Sequence, residues 1–235
     1  MISIIDSLIE KIINNRILRF DEKEIPKNVF GVFVTIKRSK KDQIVDYLYD
    51  VHGCIGYWNT EYSVLDNKTI IEKMYNVGYK AYYEDSRKKY FYGLASNNPE
   101  TLFEIIFMLK PENGIIIIND NGIMSNGKEF NNREYGIIVE NKLIGNRATY
   151  LPEVFPDKSW KYIRESLLDK AGINSNENII FYAYEANIIK KTIGEHKKIF
   201  QSGGIYYENE KLYYKQKAKK YKNKYLEEKN RKKIF

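Results

Sequence analysis

In "EYGIIVENKLIGNRATYL", residues Glu134 to Leu151, two apolar and β-branched runs flank a polar turn at Asn141-Lys142. That is the pattern of a β-hairpin. Just upstream, "GIIIIND" and "NGIM" (114–124) read as strand, tight turn, strand, with Asn121-Gly122 supplying positive φ. "TLFEIIFML" (101–109) is short and bounded by Pro99 and Pro111, so it reads as a strand. "VFGVFVTIKR" (29–38) and "NIIFYAYEANII" (178–189) are strands by their β-branched and aromatic content, and "GCIGYW" (53–58) is a shorter one broken by glycine. Helices lie between them. Ile5, Leu8, Ile9 and Ile12 fall at i, i+3, i+4 and i+7. In "NKTIIEKMYNVGYKAYYED" (67–85), Ile70, Ile71, Met74, Tyr75 and Tyr82 make an apolar side that Gly78 weakens. "PDKSWKYIRESLLDKAG" (156–172) has Asp157 placed as an N-cap, Gly172 just past its end, and Trp160, Ile163, Leu167 and Ala171 on one face. Hairpin signals outnumber crossover signals. The expectation is an α+β fold, with a mainly antiparallel sheet flanked by helices.

The 235 residues, 43% hydrophobic and 14% aromatic, suffice for a folded core. No apolar run approaches the ~20 residues that span a bilayer, so no membrane association is expected. The opening "MISIIDSLIEKIINN" does not read as a signal peptide, since Asp6 and Glu10 interrupt it. One cysteine excludes an intrachain disulfide and fits a reducing interior, so the expected setting is intracellular, cytoplasmic or nuclear. The net charge of +8 is unevenly spread: residues 211–235 hold eleven basic and two acidic side chains, and the remainder is close to neutral. The basicity belongs to a tail and not to the body.

Three ordered stretches resemble the AMMECR1 domain family: "GVFVTIKR" followed by "HGCIG" (52–56), "EDSRKKYF" (84–91), and "REYGIIVENKLIGNRATYLPEVFPDKSWKYIRESLLDKAGI" (133–173). The resemblance covers about residues 1–195. It departs at Val51-His52, where the family usually has Leu-Arg, and at Lys88 and Lys89, which displace the family's Phe. It implies a compact α+β domain with a smaller second lobe, here residues 1–200, followed by a basic Tyr/Lys-rich extension, 201–235. It brings no established reaction and no known cofactor. It does imply a link to Memo-type metal-site and radical-SAM proteins in a modification pathway, in which the chain is an enzyme or an accessory subunit. The small molecule or protein partner is unspecified.

The candidate site residues follow from the matched segments. Cys54 is either a packed small residue between Gly53 and Gly56 or a nucleophile needing a nearby cation or imidazole. His52 lies two positions before it, on the same face of a regular strand. Asp85 can fix the rotamer of Arg87, whose fork suits a carboxylate or phosphate, or the two form a structural ion pair. Thr149 and Glu153 lie in "ATYLPEV"; Glu153 is the first choice of carboxylate partner for the Cys54 region, as an acid/base or an anchor for Arg87 or His52. The expected set is thus Cys54, His52 and Glu153 as catalytic residues and Asp85, Arg87, Gly53, Gly56 and Thr149 as binding residues. No metal site is expected, because one Cys with His52 and His196 falls short of a zinc set, and His196 in "GEHKK" reads as exposed. In the tail, Lys217, Lys219, Lys220, Tyr221, Lys222 and Lys224 interleave cations with an aromatic, a pattern that suits nucleic acid or a nuclear address. The alternative function is therefore a non-catalytic module that binds protein or nucleic acid through this tail.

Overall fold

The computed structural model describes residues 2–42, 50–112, 114–174 and 178–202. The elements are α1 (Ile4–Asn14), β1 (Val29–Lys37), β2 (Val51–Trp58), α2 (Asn67–Tyr83), β3 (Leu102–Leu109), β4 (Ile116–Ile118), β5 (Gly136–Asn141), β6 (Arg147–Tyr150), α3 (Trp160–Ala171), β7 (Ile179–Thr192) and α4 (Ile193–Ser202). The strands form one sheet in the order β2-β1-β3-β7-β5-β6, and β4 also pairs with β7. Every strand pair is antiparallel. The α+β expectation holds.

Alternation along the strands sorts the side chains into separate cores. Val32, Val34 and Ile36 of β1 face α1 and α2, with Leu8, Ile9, Ile70, Met74, Phe103 and Phe107 in the same cluster. Around β5 and the first half of β7, Ile137, Val139, Phe181 and Ala183 pack against Ile163 and Leu167 of α3. The strand β7 joins the two halves: residues 179–184 pair with β5, and 185–192 with β3.

Local details depart from the sequence reading. In the 119–123 turn only Gly122 has positive φ, +80°, and in the β5–β6 turn it is Gly145, at +74°, because the Asn141 side chain is occupied accepting from the amides of Leu143 and Ile144. The N-cap of α3 is Ser159, which accepts from Tyr162 N, and not Asp157. Glycine does not break β2, which runs on to eight residues. Both acidic positions of α1 are buried: Asp6 and Glu10 are 2% and 3% exposed. His196 is buried too, at 4%, with Nδ1 2.9 Å from Asp6 Oδ1 and Nε2 2.8 Å from Glu10 Oε1. It is no exposed loop residue; it clasps α4 to α1.

Candidate functional site

The site begins with a fault in the pairing of β1 and β2. Ile36 pairs with Gly53 but Lys37 pairs with Val51, so His52 is an extra residue on β2, a β-bulge. The bulge cancels the period-two argument that set His52 beside Cys54. The His52 imidazole lies on the α2 side. It is 5.7 Å from the Tyr82 ring and 5.6 Å from Phe91, and its Nε2 is 3.1 Å from the Tyr82 carbonyl. Burial pushes its pKa down, against the pull of that carbonyl. Cys54 joins the cluster on the other face, with Phe33, Trp58 and Tyr184. The expected Cys54–His52 pair is not formed.

Asp85 and Arg87 do converge on Cys54. They sit at the start of a 3₁₀ turn, Ser86–Tyr90, that follows α2. The Cys54 amide donates to Asp85 Oδ2 at 3.0 Å, and the Arg87 Nη2 donates to the Cys54 carbonyl at 3.1 Å. Arg87 also forks onto Asp85, with Nε–Oδ1 2.9 Å and Nη2–Oδ2 2.6 Å. The pair thus grips both polar groups of the cysteine's backbone. Gly53 admits it, and Gly56 admits the Phe33 ring. A Cβ on Gly53 would lie 1.9 Å from the Ala81 carbonyl oxygen, and one on Gly56 would lie 2.2 Å from the Phe33 ring. Burial opposes the Asp85 charge, but Arg87 and the Cys54 amide outweigh it and lower its pKa. Asp85 in turn raises that of Arg87.

The thiol is neutral at rest. Burial pushes its pKa up, only partly offset by the hydrogen bond from Thr35 and the charges of Arg87 and Lys170. Thr35 Oγ1 donates to Sγ at 3.0 Å. Lys170, from the end of α3, brings the second half of the molecule to the site. It is an exposed residue whose ammonium donates to the Thr149 carbonyl at 2.8 Å and lies 4.5 Å over the Tyr150 ring. Burial and then Arg87 lower its pKa, while Cys54 raises it. Thr149 contributes this carbonyl. Its own hydroxyl is engaged with the Ile137 carbonyl at 2.8 Å and Tyr184 Oη at 3.1 Å.

Glu153 is exposed, at φ +64°, and its amide donates to the Asn132 carbonyl. No described contact joins its carboxylate to Cys54, His52 or Arg87. The structure therefore assembles Cys54, Asp85 and Arg87 with two residues the sequence reading passed over, Thr35 and Lys170. The short Val-Thr ending of the β1 signature is the one sequence signal that points to Thr35; nothing local marks Lys170. Arg87, 38% exposed, and Lys170 are the groups able to hold an anionic ligand or cofactor. Among the described residues no group of three or more His, Cys, Asp or Glu side chains is arranged to hold a metal ion. Lys217, Lys219, Lys220, Tyr221, Lys222 and Lys224 lie outside the described residues.

The sequence model of the AMMECR1 family matches residues 3–189. No curated protein matches the chain. The crystal structure of an uncharacterised protein from Pyrococcus horikoshii is similar in fold, with a TM-score of 0.51 and 18% identity over 79% of this chain and 86% of that one. No helix among the described residues is long and apolar enough to cross a membrane.

Proposed function

The chain belongs to the AMMECR1 family, and on that premise we propose that its working site is an anion-binding pocket around Cys54. In this reading the protein is an enzyme, or an accessory subunit of one, in the modification pathway implied by the link to Memo-type and radical-SAM proteins. One observation carries the reading. Asp85 holds the Arg87 guanidinium by Nε and Nη2, while the side chain stays 38% exposed and its charge acts on both the Cys54 thiol and Lys170. A guanidinium fixed in advance loses little conformational freedom when it binds a carboxylate or phosphate.

The roles divide by chemistry. Arg87 binds the anion, and Asp85 positions it. Lys170 supplies a second positive charge, and its depressed pKa brings it nearer to exchanging a proton near neutrality than an ordinary lysine. Cys54 meets the ligand as S–H, since a bound anion disfavours the thiolate further.

Alkylation of Cys54 by iodoacetamide tests this, with Cys54→Ser as control and inorganic phosphate or acetate as probes. The expected result is slow labelling at neutral pH, slowed further by either anion, with that protection lost in Arg87→Gln. Labelling faster than that of free cysteine removes the neutral-thiol role. Absence of protection by both anions removes the pocket.

A second reading rests on the charge of residues 211–235, eleven basic against two acidic. There the protein is a non-catalytic module that recruits nucleic acid, in cytoplasm or nucleus, through Lys217, Lys219, Lys220, Tyr221, Lys222 and Lys224. Binding to single-stranded nucleic acid that falls steeply with salt, and is lost on removing 211–235, favours it. Salt-insensitive binding that survives truncation counts against it.

A further inference from the structure

Cys54 stands at one end of a row that crosses four strands. It pairs with Thr35 on β1, Thr35 pairs with Glu104 on β3, and Glu104 pairs with Lys190 on β7. Directly paired residues project from the same face of an antiparallel sheet. The side-chain contacts agree: Thr35 reaches Cys54, and Lys190 Nζ lies 3.3 Å from Glu104 Oε1. Lys37 joins the far end, with Nζ 3.1 Å from Glu104 Oε2.

The far end is not a simple ion pair. Glu104 is 3% exposed, and one carboxylate meets two ammoniums, whose side chains are 34% and 45% exposed. One positive charge is left over, and both lysines keep a side to solvent. At the near end Arg87 is paired with Asp85, while Lys170 donates to the Thr149 carbonyl within electrostatic reach of Cys54 and Arg87, again leaving one positive charge. In the row between the two ends stand the Cys54 thiol and the hydroxyl of Thr35, 4% exposed, both uncharged. Strands are spaced by about 4.8 Å, so Cys54 and Lys190, three spacings apart, are separated by about 14 Å. Long Arg and Lys side chains can shorten that span toward the middle.

Resting on the anion-pocket reading, we infer that the ligand is an elongated dianion: one anionic group on Arg87 and Lys170, the other on Lys37 and Lys190, with a neutral middle over Cys54 and Thr35. Carboxylates and phosphates share this chemistry. Glu104 is a positioning residue, holding the two lysines side by side at the far pole. The arrangement discriminates by length, because a short dianion satisfies one pole only.

The test uses the full chain and the linear dicarboxylates from malonate to sebacate, each beside the monocarboxylate of equal length. Protection of Cys54 from iodoacetamide is one readout, and the rise in melting temperature with ligand is a second. Expected is an optimum at intermediate length, where the dicarboxylate binds about tenfold tighter than its monocarboxylate, the gain of one further charge-assisted contact. Lys190→Gln and Lys37→Gln each flatten the length profile toward the monocarboxylate level, and Lys190→Arg restores it. Arg87→Gln weakens mono- and dicarboxylates alike. A flat length profile, or an optimum untouched by the lysine variants, overturns the dianion inference while monocarboxylate protection leaves the anion pocket standing. No protection by any member overturns both.

Discussion

At Gly53 the main chain of β2 runs against the last turns of α2, so closely that a methyl group would meet the Ala81 carbonyl oxygen. The obstacle is backbone and cannot swing aside. Gly53→Ala is expected to cost about 1–3 kcal/mol, as overpacking does, and to displace Asp85 from the Cys54 amide; denaturant unfolding and cysteine labelling read the two effects. Gly56 meets a ring instead, and Phe33 can turn, so Gly56→Ala should cost less. The same neighbourhood separates His52 from the thiol. His52→Gln should leave the pH profile of Cys54 labelling where it is, whereas Arg87→Gln or Lys170→Gln should move it to higher pH, since each removes a charge that favours the thiolate. A shift in the His52 variant of the same size as in the other two would contradict the separation.

The elements show what one sequence makes legible. The β5–β6 hairpin is readable because the residues that pair are near neighbours and the turn needs few types. The body of α3 is readable because Ile163 and Leu167 must share a face. Its start is harder. Ser159 and Asp157 both suit an N-cap, and the choice depends on where Phe155 and Trp160 pack. Ser159→Ala should therefore lower stability by about 1 kcal/mol, measured by thermal unfolding. Asp157→Ala should lose only the exposed contact with Arg133, worth about 0–1 kcal/mol. The bulge at His52 is illegible because an inserted residue changes neither composition nor hydrophobicity; only the register of the partner strand reveals it. Thr35, Glu104 and Lys190 become neighbours through pairing across strands far apart in sequence, and Lys170 reaches the site by way of α3. Arg87 and Cys54 were within reach of motif reading because their segments carry local signatures.

Across the molecule, the longest tie joins the first helix to the last. His196 of α4 lies between Asp6 and Glu10 of α1, with Lys191 of β7 on Asp6 and Arg16 on Glu10. Burial opposes charge on all three central groups, but the hydrogen bonds between them prevail. Asp6 is held down at about 2, Glu10 below 4.5, and His196 above 6.5. The signs fix the window. A raised histidine contributes in full below its unfolded value and loses that contribution as pH rises through its folded one; depressed carboxylates contribute above their unfolded values and lose it as pH falls. The clasp is at full strength between about pH 4.5 and 6.5. His196→Ala should cost about 1.5–3 kcal/mol there, because it removes the charge-assisted hydrogen bonds to two buried carboxylates that keep Lys191 and Arg16, and the loss should shrink on the alkaline side as the wild type gives up its own proton. A loss that does not vary with pH would contradict the charged clasp.

The 14 residues of β7 belong to both halves of the sheet at once. Neither half can open without breaking a ladder on the same strand. Amide hydrogens at Phe181 and Ile189, one in each half, should therefore exchange with deuterium at nearly the same slow rate, through unfolding of the whole chain and not through separate openings. The proposed ligand site draws Cys54 and Arg87 from one half and Lys170 from the other, and that shared strand holds these residues in fixed relation.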